Sequence, residues 1–406
     1  MKKVFILFIA LLALSDARAQ WFKQNSGTTK TLGSVSFTDQ NTGHVVGSNG
    51  IILSTINGGD IWTSQPSGTS STLYSVFFTD VDTGYITGDG GKILKTVNGG
   101  VSWTSQTSGT NLALSSVHFT DAYHGHAVGG TNGYSAIVKT ANGGVSWTTQ
   151  YSGVQAQLSS VFFTSELTGF AVGVDLNYYC TIIKTTNGGS SWAHQNFGSQ
   201  YSLLNSVYFA TPDIGYAVGF SMITNKGIII KTTNAGATWT LKSSEYFPEL
   251  YSVYFADATT GFVVGEGGKI IKTIDGGNTW MVLQTGTSNN LWLVYFVDQN
   301  TGYTVGDAGT ILKTTNGGGY AVGVDDLDEA SNQLKIYPIP ASTEITIEAS
   351  AEQGKLSIFD CQSQEVITRQ ITGQKVRIDI SNLKAGIYFV FLNGDNYFAK
   401  GKFIKQ

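Results

Sequence analysis

The 406-residue chain carries 50 glycines, with 12% aromatic and 13% charged residues. That mixture suits an all-β protein with many tight turns and excludes a disordered or long-helical one; the length has room for two domains. The formal charge of -4 becomes -6 once Lys2, Lys3, Arg18 and Asp16 of the first 19 residues are set aside. A mildly acidic surface offers phosphate backbones no general attraction, so no nucleic-acid partner is expected.

In chain order, Lys2-Lys3, the apolar run Val4 to Leu14 and Ala17-Arg18-Ala19 have the layout of a signal peptide over residues 1–19. The apolar run is too short to span a bilayer, and no later one is long enough, so no transmembrane segment is expected. Cys180 and Cys361 fall in different halves of the chain and make no disulfide framework.

From residue 20 to 322 one phrase is stated seven times, at a period of 41 to 47 residues. A glycine doublet marks each copy: Gly43/Gly47, Gly84/Gly88, Gly125/Gly129, Gly169/Gly173, Gly215/Gly219, Gly261/Gly265 and Gly302/Gly306. Each copy divides into four short β segments, in the first copy Leu32–Asp39, His44–Gly47, Ile51–Thr55 and a segment beginning at Trp62. Turns such as Asn57-Gly58-Gly59 tolerate positive φ and separate the segments. Four-stranded units at this period read as β-propeller blades. The seventh copy lacks a fourth segment, but Trp21–Gly27 is a spare one that repeats Trp62–Gly68 and Trp103–Gly109. The N-terminal strand is therefore expected to pair near Ile311–Thr314 and close a seven-bladed ring, leaving no exposed sheet edge.

The turn Thr273–Trp280 resembles an Asp-box, the bacterial neuraminidase repeat, with Asp275 as the acid. Asn57, Asn98, Asn142, Asn187, Asn234 and Asn316 stand at the same point of the other copies. Their side chains are expected to cap turn amides, while Trp62, Trp103, Trp147, Trp192, Trp239, Trp280 and Trp21 pack between neighbouring sheets. Over residues 20–319 the repeat grammar also resembles the exported propellers of the photosystem II assembly factor family. That resemblance implies a docking platform rather than an enzyme.

An acidic connector spans 323–333, and the texture then changes. Six or seven alternating segments in 334–406 read as a small β-sandwich. Ile336-Tyr-Pro-Ile-Pro-Ala-Ser342, Leu356–Asp360, Ile378–Leu383, Ala385–Tyr388 and Lys400–Lys405 stand in the order of the type A C-terminal sorting domain of the type IX secretion system, which this segment resembles. The resemblance implies a partnership between 334–406 and the type IX machinery in a Bacteroidetes-type cell, with the protein released or attached at the surface. The fold class expected is all-β: a seven-bladed propeller closed by its N-terminal strand, then a small C-terminal β-sandwich.

A sialidase needs an arginine cluster for its substrate carboxylate, yet Arg18, Arg369 and Arg377 are the only arginines and none lies in the repeats. Asp89, Glu266 and Asp307 follow the second glycine in three copies and could serve a paired-carboxylate hydrolase, but Asp89-Gly90 and Glu266-Gly267 read first as turn residues. His118, His124 and His126 fall at ordinary repeat positions; no metal or cofactor is expected. The gap from the second glycine to the Thr of Lys-Thr is 8 in four copies but 11, 12 and 13 in copies three to five. Those insertions carry Tyr134, Tyr178, Tyr179, Phe220 and Met222, a candidate binding surface on one face. Three readings follow: a monomeric, non-catalytic scaffold binding a protein or glycan; a polysaccharide-active hydrolase; or a passive module of the cell envelope.

Overall fold

In each repeat the apolar alternation of the first segment and the glycine-rich turns after it produce one antiparallel sheet of four strands in sequence order. The first blade uses Leu32–Phe37, Gly43–Gly47, Ile52–Thr55 and Thr63–Gln65. The structure is a computed structural model that describes residues 21–319 and 334–406, apart from 196, 198–201, 244–246, 350–352, 361–363 and 395–396. The expected signal peptide, the connector 323–333 and Cys361 lie outside the described residues. Two compact units part between Ala321 and Val322.

Blade 7 is composite. Its sheet joins Phe22–Gln24 to three strands from the last repeat, with Phe22 opposite Lys313 and Gln24 opposite Ile311. Trp21 is 1% exposed, against Phe262 and Phe296. The ring closes as the spare strand in the sequence requires.

The glycine doublet is a close-approach device. A Cβ on Gly43 would lie 2.5 Å from the Phe37 ring, and one on Gly47 would lie 2.1 Å from the Thr31 carbonyl oxygen. Neither distance is compatible with a side chain.

Neighbouring blades are joined by aromatic stacking. The second residue of each second strand stacks on the Phe that ends the next blade's inner strand: His44 on Phe78, Tyr85 on Phe119, His126 on Phe163, Phe170 on Phe209, Tyr216 on Phe255, Phe262 on Phe296 and Tyr303 on Phe37. Centroids are 3.9 to 4.5 Å apart. The blade's Trp then meets that Phe edge-on, as Trp62 meets Phe37 and Trp21 meets Phe296. The tyrosines add a hydrogen bond to the next blade's turn, for example Tyr85 Oη to Gly143 O at 2.8 Å. Third-strand lysines donate to the same turns: Lys95 to Gly143 O, Lys184 to Ala235 O, Lys231 to Gly276 O, Lys272 to Gly317 O and Lys313 to Gly58 O. In six turns the Asn or Asp side chain caps an amide four residues on: Asn57 Oδ1 accepts the Ile61 amide, Asp275 Oδ1 accepts the Thr279 amide, and Asn98, Asn142, Asn187 and Asn234 do the same.

The C-terminal unit is a sandwich of a three-stranded sheet (Lys335–Tyr337, Glu344–Glu348, Lys375–Asp379) and a four-stranded sheet (Gln353–Phe359, Glu365–Thr372, Gly386–Gly394, Tyr397–Lys405). Its core includes Ile345, Ile347, Leu356, Ile358, Val390, Leu392 and Phe403. Glu348 accepts from Tyr337 and Lys375, and the Lys375 ammonium leads in holding its carboxyl at about 2.

Two stability predictions follow from these contacts. Trp21→Ala should cost about 3–5 kcal/mol, the usual range for emptying a buried aromatic site, and lower the propeller's melting temperature in calorimetry. An unchanged transition would mean that the closing strand contributes little. Burial pushes His44 down to about 4 and His126 to about 3. The unfolded chain therefore takes up these protons first, and stability should fall as pH drops from about 6.5 towards 4. His44→Phe, the residue type of blades 4 and 6, should flatten that fall in pH-resolved denaturant titrations.

Candidate functional site

The inner strands position the side chains around the ring's axis. In every blade the pairing register slips between the Leu and the Ser of Leu-x-Ser-Val, as at Leu32/Ser34 and Leu291/Leu293. A bulge re-aims the residue it contains. Here it is x: Gly33, Tyr74, Ser115, Ser159, Asn205, Tyr251 and Trp292. These residues line an opening of about 390 Å³ on the face that carries the turns between second and third strands, termed the upper face below.

A serine collar underlies the opening. Ser34, Ser75, Ser116, Ser160, Ser206 and Ser252 each accept, at 3.1 to 3.3 Å, the Val amide of the next inner strand. Blade 7 has Leu293 at this position, so no serine reaches the Val35 amide. Lower still, Phe77, His118, Phe162, Tyr208, Tyr254 and Tyr295 form a chain of rings with centroids 4.8 to 5.7 Å apart. The opening is thus a cup above an aromatic belt that runs through six blades and is interrupted at Ser36 of blade 1, and this belt is termed the aromatic floor. Burial raises the Tyr208 hydroxyl to about 12 and lowers His118 to about 4, keeping both neutral.

The cup is two-sided. Ser115, Ser159 and Asn205 of blades 3 to 5 line one half, and Tyr251, Trp292 and Tyr74 of blades 6, 7 and 2 line the other. Tyr251 and Trp292 stack at 4.3 Å. Trp292 Nε1 donates to Asp307 Oδ1 at 2.8 Å, and Thr31 Oγ1 donates to the same oxygen at 3.0 Å. Tyr74 Oη donates to Asp89 Oδ1 at 2.7 Å. Burial, then that bond, push the Tyr74 hydroxyl up to about 12. Burial and the charges of Glu249, Glu266 and Asp307 raise Tyr251 as well. Asp89 and Asp307 therefore anchor rings, and each also begins a short turn.

The lengthened hairpins of blades 3 to 5 stand on this same face: Gly125–Thr131 with Tyr134–Thr140, Gly169–Asp175 with Cys180–Thr185, and Gly215–Ser221 with Lys226–Thr232. The inner strands of blades 4 and 5 lengthen too, to Ala156–Phe163 and Ser202–Phe209, which the glycine spacing could not register because the addition precedes the repeat's Leu. Tyr134, Tyr178, Tyr179 and Met222 are exposed, as are Leu176 and Ile223. Phe220 differs: it lies within a strand opposite Leu203 and is half-buried. Leu176 crowds Gly133 of the adjacent hairpin so closely that a Cβ there would be 2.1 Å away. The three histidines that cluster in sequence part company, with His118 in the aromatic floor and His126 in an inter-blade stack. His124 lies between Asp121 and Glu166, with its ring nitrogens 2.8 and 3.5 Å from their oxygens. Among the described residues no group of three or more His, Cys, Asp or Glu is placed to hold a metal.

Tyr74, Tyr251 and Trp292 were not singled out from sequence, because x varies between copies. One signal was available. Seven of the eight tryptophans share one repeat position and Trp292 does not.

Residues 14–112, 106–247 and 245–319 match the sequence profile of the photosynthesis system II assembly factor YCF48. The chain belongs to the YCF48 family. Residues 335–406 match the secretion system C-terminal sorting domain. No curated protein sequence matches the chain. Among solved structures, this YCF48-family propeller is similar to YCF48 bound to D1 peptide, with 20% identity, a TM-score of 0.61, and 73% of this chain and 97% of that one covered. It is also similar to the GH74 xyloglucanase from Xanthomonas campestris (12% identity, TM-score 0.60, 92% and 65% covered). A third likeness is to PorZ, a surface component of the type IX secretion system of Porphyromonas gingivalis (12%, 0.55, 90% and 58%). At these identities the likenesses show the fold. The sorting domain marks the YCF48-family propeller for export to the cell surface or the medium. No helix among the described residues is long and apolar enough to cross a membrane.

Deleting residues 334–406 should retain the propeller inside the outer membrane, read by fractionation and immunoblotting. Undiminished surface or medium signal would show that this segment is dispensable for export.

Proposed function

We propose that the propeller is a non-catalytic scaffold that binds a protein or glycan outside the cell, through its upper face. In this reading residues 1–19 are the signal peptide, 20–322 the propeller, 323–333 a linker and 334–406 the sorting domain, and the protein acts as a monomer. One observation carries the proposal: the cup at the axis of the ring is walled on one side by aromatic residues, of which Tyr74 and Trp292 are held in place by Asp89 and Asp307. Rings fixed in this way present apolar area at little cost in side-chain entropy. The exposed hairpins of blades 3 to 5 raise one side of the same face, where loops on a rigid support commonly bind. A relative that carries a bound peptide is in keeping with a docking role.

The hydrolase reading draws on the fold shared with a xyloglucanase. Carboxylate catalysis needs an acid and a base or nucleophile set about 5–10 Å apart beside the scissile bond. Asp89 and Asp307 are instead engaged by Tyr74 and by Trp292 with Thr31, which suits them to support rather than to proton transfer.

Glycan and peptide arrays probed with the purified protein should give binding without new reducing ends. Trp292→Ala should weaken that binding at least tenfold, and Tyr178→Ala with Tyr179→Ala should weaken it to a smaller extent. Hydrolysis lost in Asp307→Asn would replace the scaffold with an enzyme, and an array without any signal would favour a passive envelope module.

A further inference from the structure

Blade 1 departs from the other six at the points that face the axis. At the bulge it has Gly33, where the other blades have Tyr, Ser, Asn or Trp. At the level of the aromatic floor it has Ser36, where the others all have a ring. The backbone does not require a glycine at position 33. A Cβ built there would approach nothing closer than the Tyr74 carbonyl oxygen at 3.6 Å, an ordinary contact, and no left-handed φ occurs at this residue. Gly33 thus differs in kind from Gly43 and Gly47, whose side-chain space is already filled. What it does is leave a notch in the wall of the cup, between blade 7 with Trp292 and blade 2 with Tyr74. Thr31 and Ser48 also line the cup in blade 1.

We propose that the Gly33 notch receives one sugar ring of an uncharged oligosaccharide; the proposal rests on the binding reading above and specifies its ligand. Three observations select this class. First, the cup opposes an aromatic half, lined by Tyr74, Tyr251 and Trp292, to a half lined by Ser115, Ser159 and Asn205, a pairing that suits the C–H surface and the rim of hydroxyls of a pyranose. Its volume of about 390 Å³ lies within the range of small-ligand sites, about 300–1,000 Å³. Second, Asp89 and Asp307 stand directly behind the two flanking rings, and the propeller holds no arginine to pair with an acidic sugar. A uronate or sulfate would meet negative charge with no bidentate partner. Third, the strand-addition mode of peptide binding needs a free strand edge. Six inner strands already have a Val amide taken by a neighbouring serine.

The test uses the full chain and four probes: cellohexaose, mannohexaose, N-acetylchitohexaose and hexagalacturonate, titrated by calorimetry and by tryptophan fluorescence. At least one neutral hexamer should bind, and hexagalacturonate at least tenfold more weakly. Gly33→Trp fills the notch with the side chain that blade 7 already carries at this position. It should lower affinity for that hexamer at least tenfold and leave the melting temperature nearly unchanged. Gly33→Tyr, copying blade 2, serves the same purpose should the larger indole unsettle the fold, while Gly33→Ala should bind like the parent. Neutral binding that survives both Gly33→Trp and Gly33→Tyr but is lost in Trp292→Ala overturns the notch and leaves the scaffold reading intact. Preference for hexagalacturonate, or failure of all four probes while an arrayed peptide binds in a Trp292-dependent way, overturns the choice of ligand and again leaves that reading standing.

Discussion

The ring depends on one clasp, set between each pair of blades. An aromatic or imidazole ring on a second strand lies flat on the Phe that ends the next inner strand, and that Phe meets its own blade's Trp edge-on. The stack sets the spacing of the blades, and most of the sequence repeat follows from it. The first glycine of each doublet exists because the Phe ring occupies its side-chain space, and Trp begins the outer strand because it completes the cluster. Lys of Lys-Thr reaches across to the neighbouring turn, and the Thr holds its own turn: Thr55 Oγ1 accepts the Gly59 amide. The clasp is non-polar and hidden, with the hydrogen bonds added at its lower edge, so each blade is fixed by its neighbours rather than by its own sheet alone.

The clasps are not equal. Between blades 1 and 2 His44 takes the place of Tyr or Phe, and both its ring nitrogens are buried without a hydrogen-bond partner. Ser54 stands where other blades have lysine, and it bonds locally with Gln65 instead. The junction of blades 7 and 1, by contrast, has the full set: Tyr303 and Lys313 both donate to Gly58 O. The junction of the last and first blades is therefore better fastened than the next interface along. Blade 1 is also the blade with the least bulk on the axis, at Gly33 and Ser36. The softest seam and the widest gap in the inner wall thus adjoin one another.

The fold was legible in the sequence because each repeat must satisfy the same packing. Glycine spacing, Asn-Gly-Gly turns and Trp position count the blades, and the spare Trp21–Gly27 segment predicts the closure that Phe22 and Lys313 make. The side on which the long hairpins of blades 3 to 5 stand was legible too, since strand alternation assigns each turn to a face. The cup was not. Its aromatic residues occupy x of Leu-x-Ser-Val, which the inter-blade packing leaves free to vary, and only the bulge in three dimensions shows that x faces the axis. Asp89 begins a turn, as its sequence context implies, and Asp307 does the same, but their contacts with Tyr74 and Trp292 depend on that same bulge. A second strand position was overestimated: Phe220 joins the sheet, because the blade 5 inner strand extends to Ser202 and pairs alongside it.

The pairing of Phe22 with Lys313 joins residues nearly three hundred positions apart in the chain, and that separation orders events in time. Bringing such distant segments together is slow compared with forming local hairpins. Six wedges can each form from one contiguous stretch of chain, but the seventh stays incomplete until the last repeat has met Phe22–Gln24. During that interval two bare flanks, at the start and the finish of the arc, are open to the wrong neighbour. A chain that crosses membranes before settling has reason to keep its earliest strand short and capped by a single large indole, which docks quickly once its socket exists.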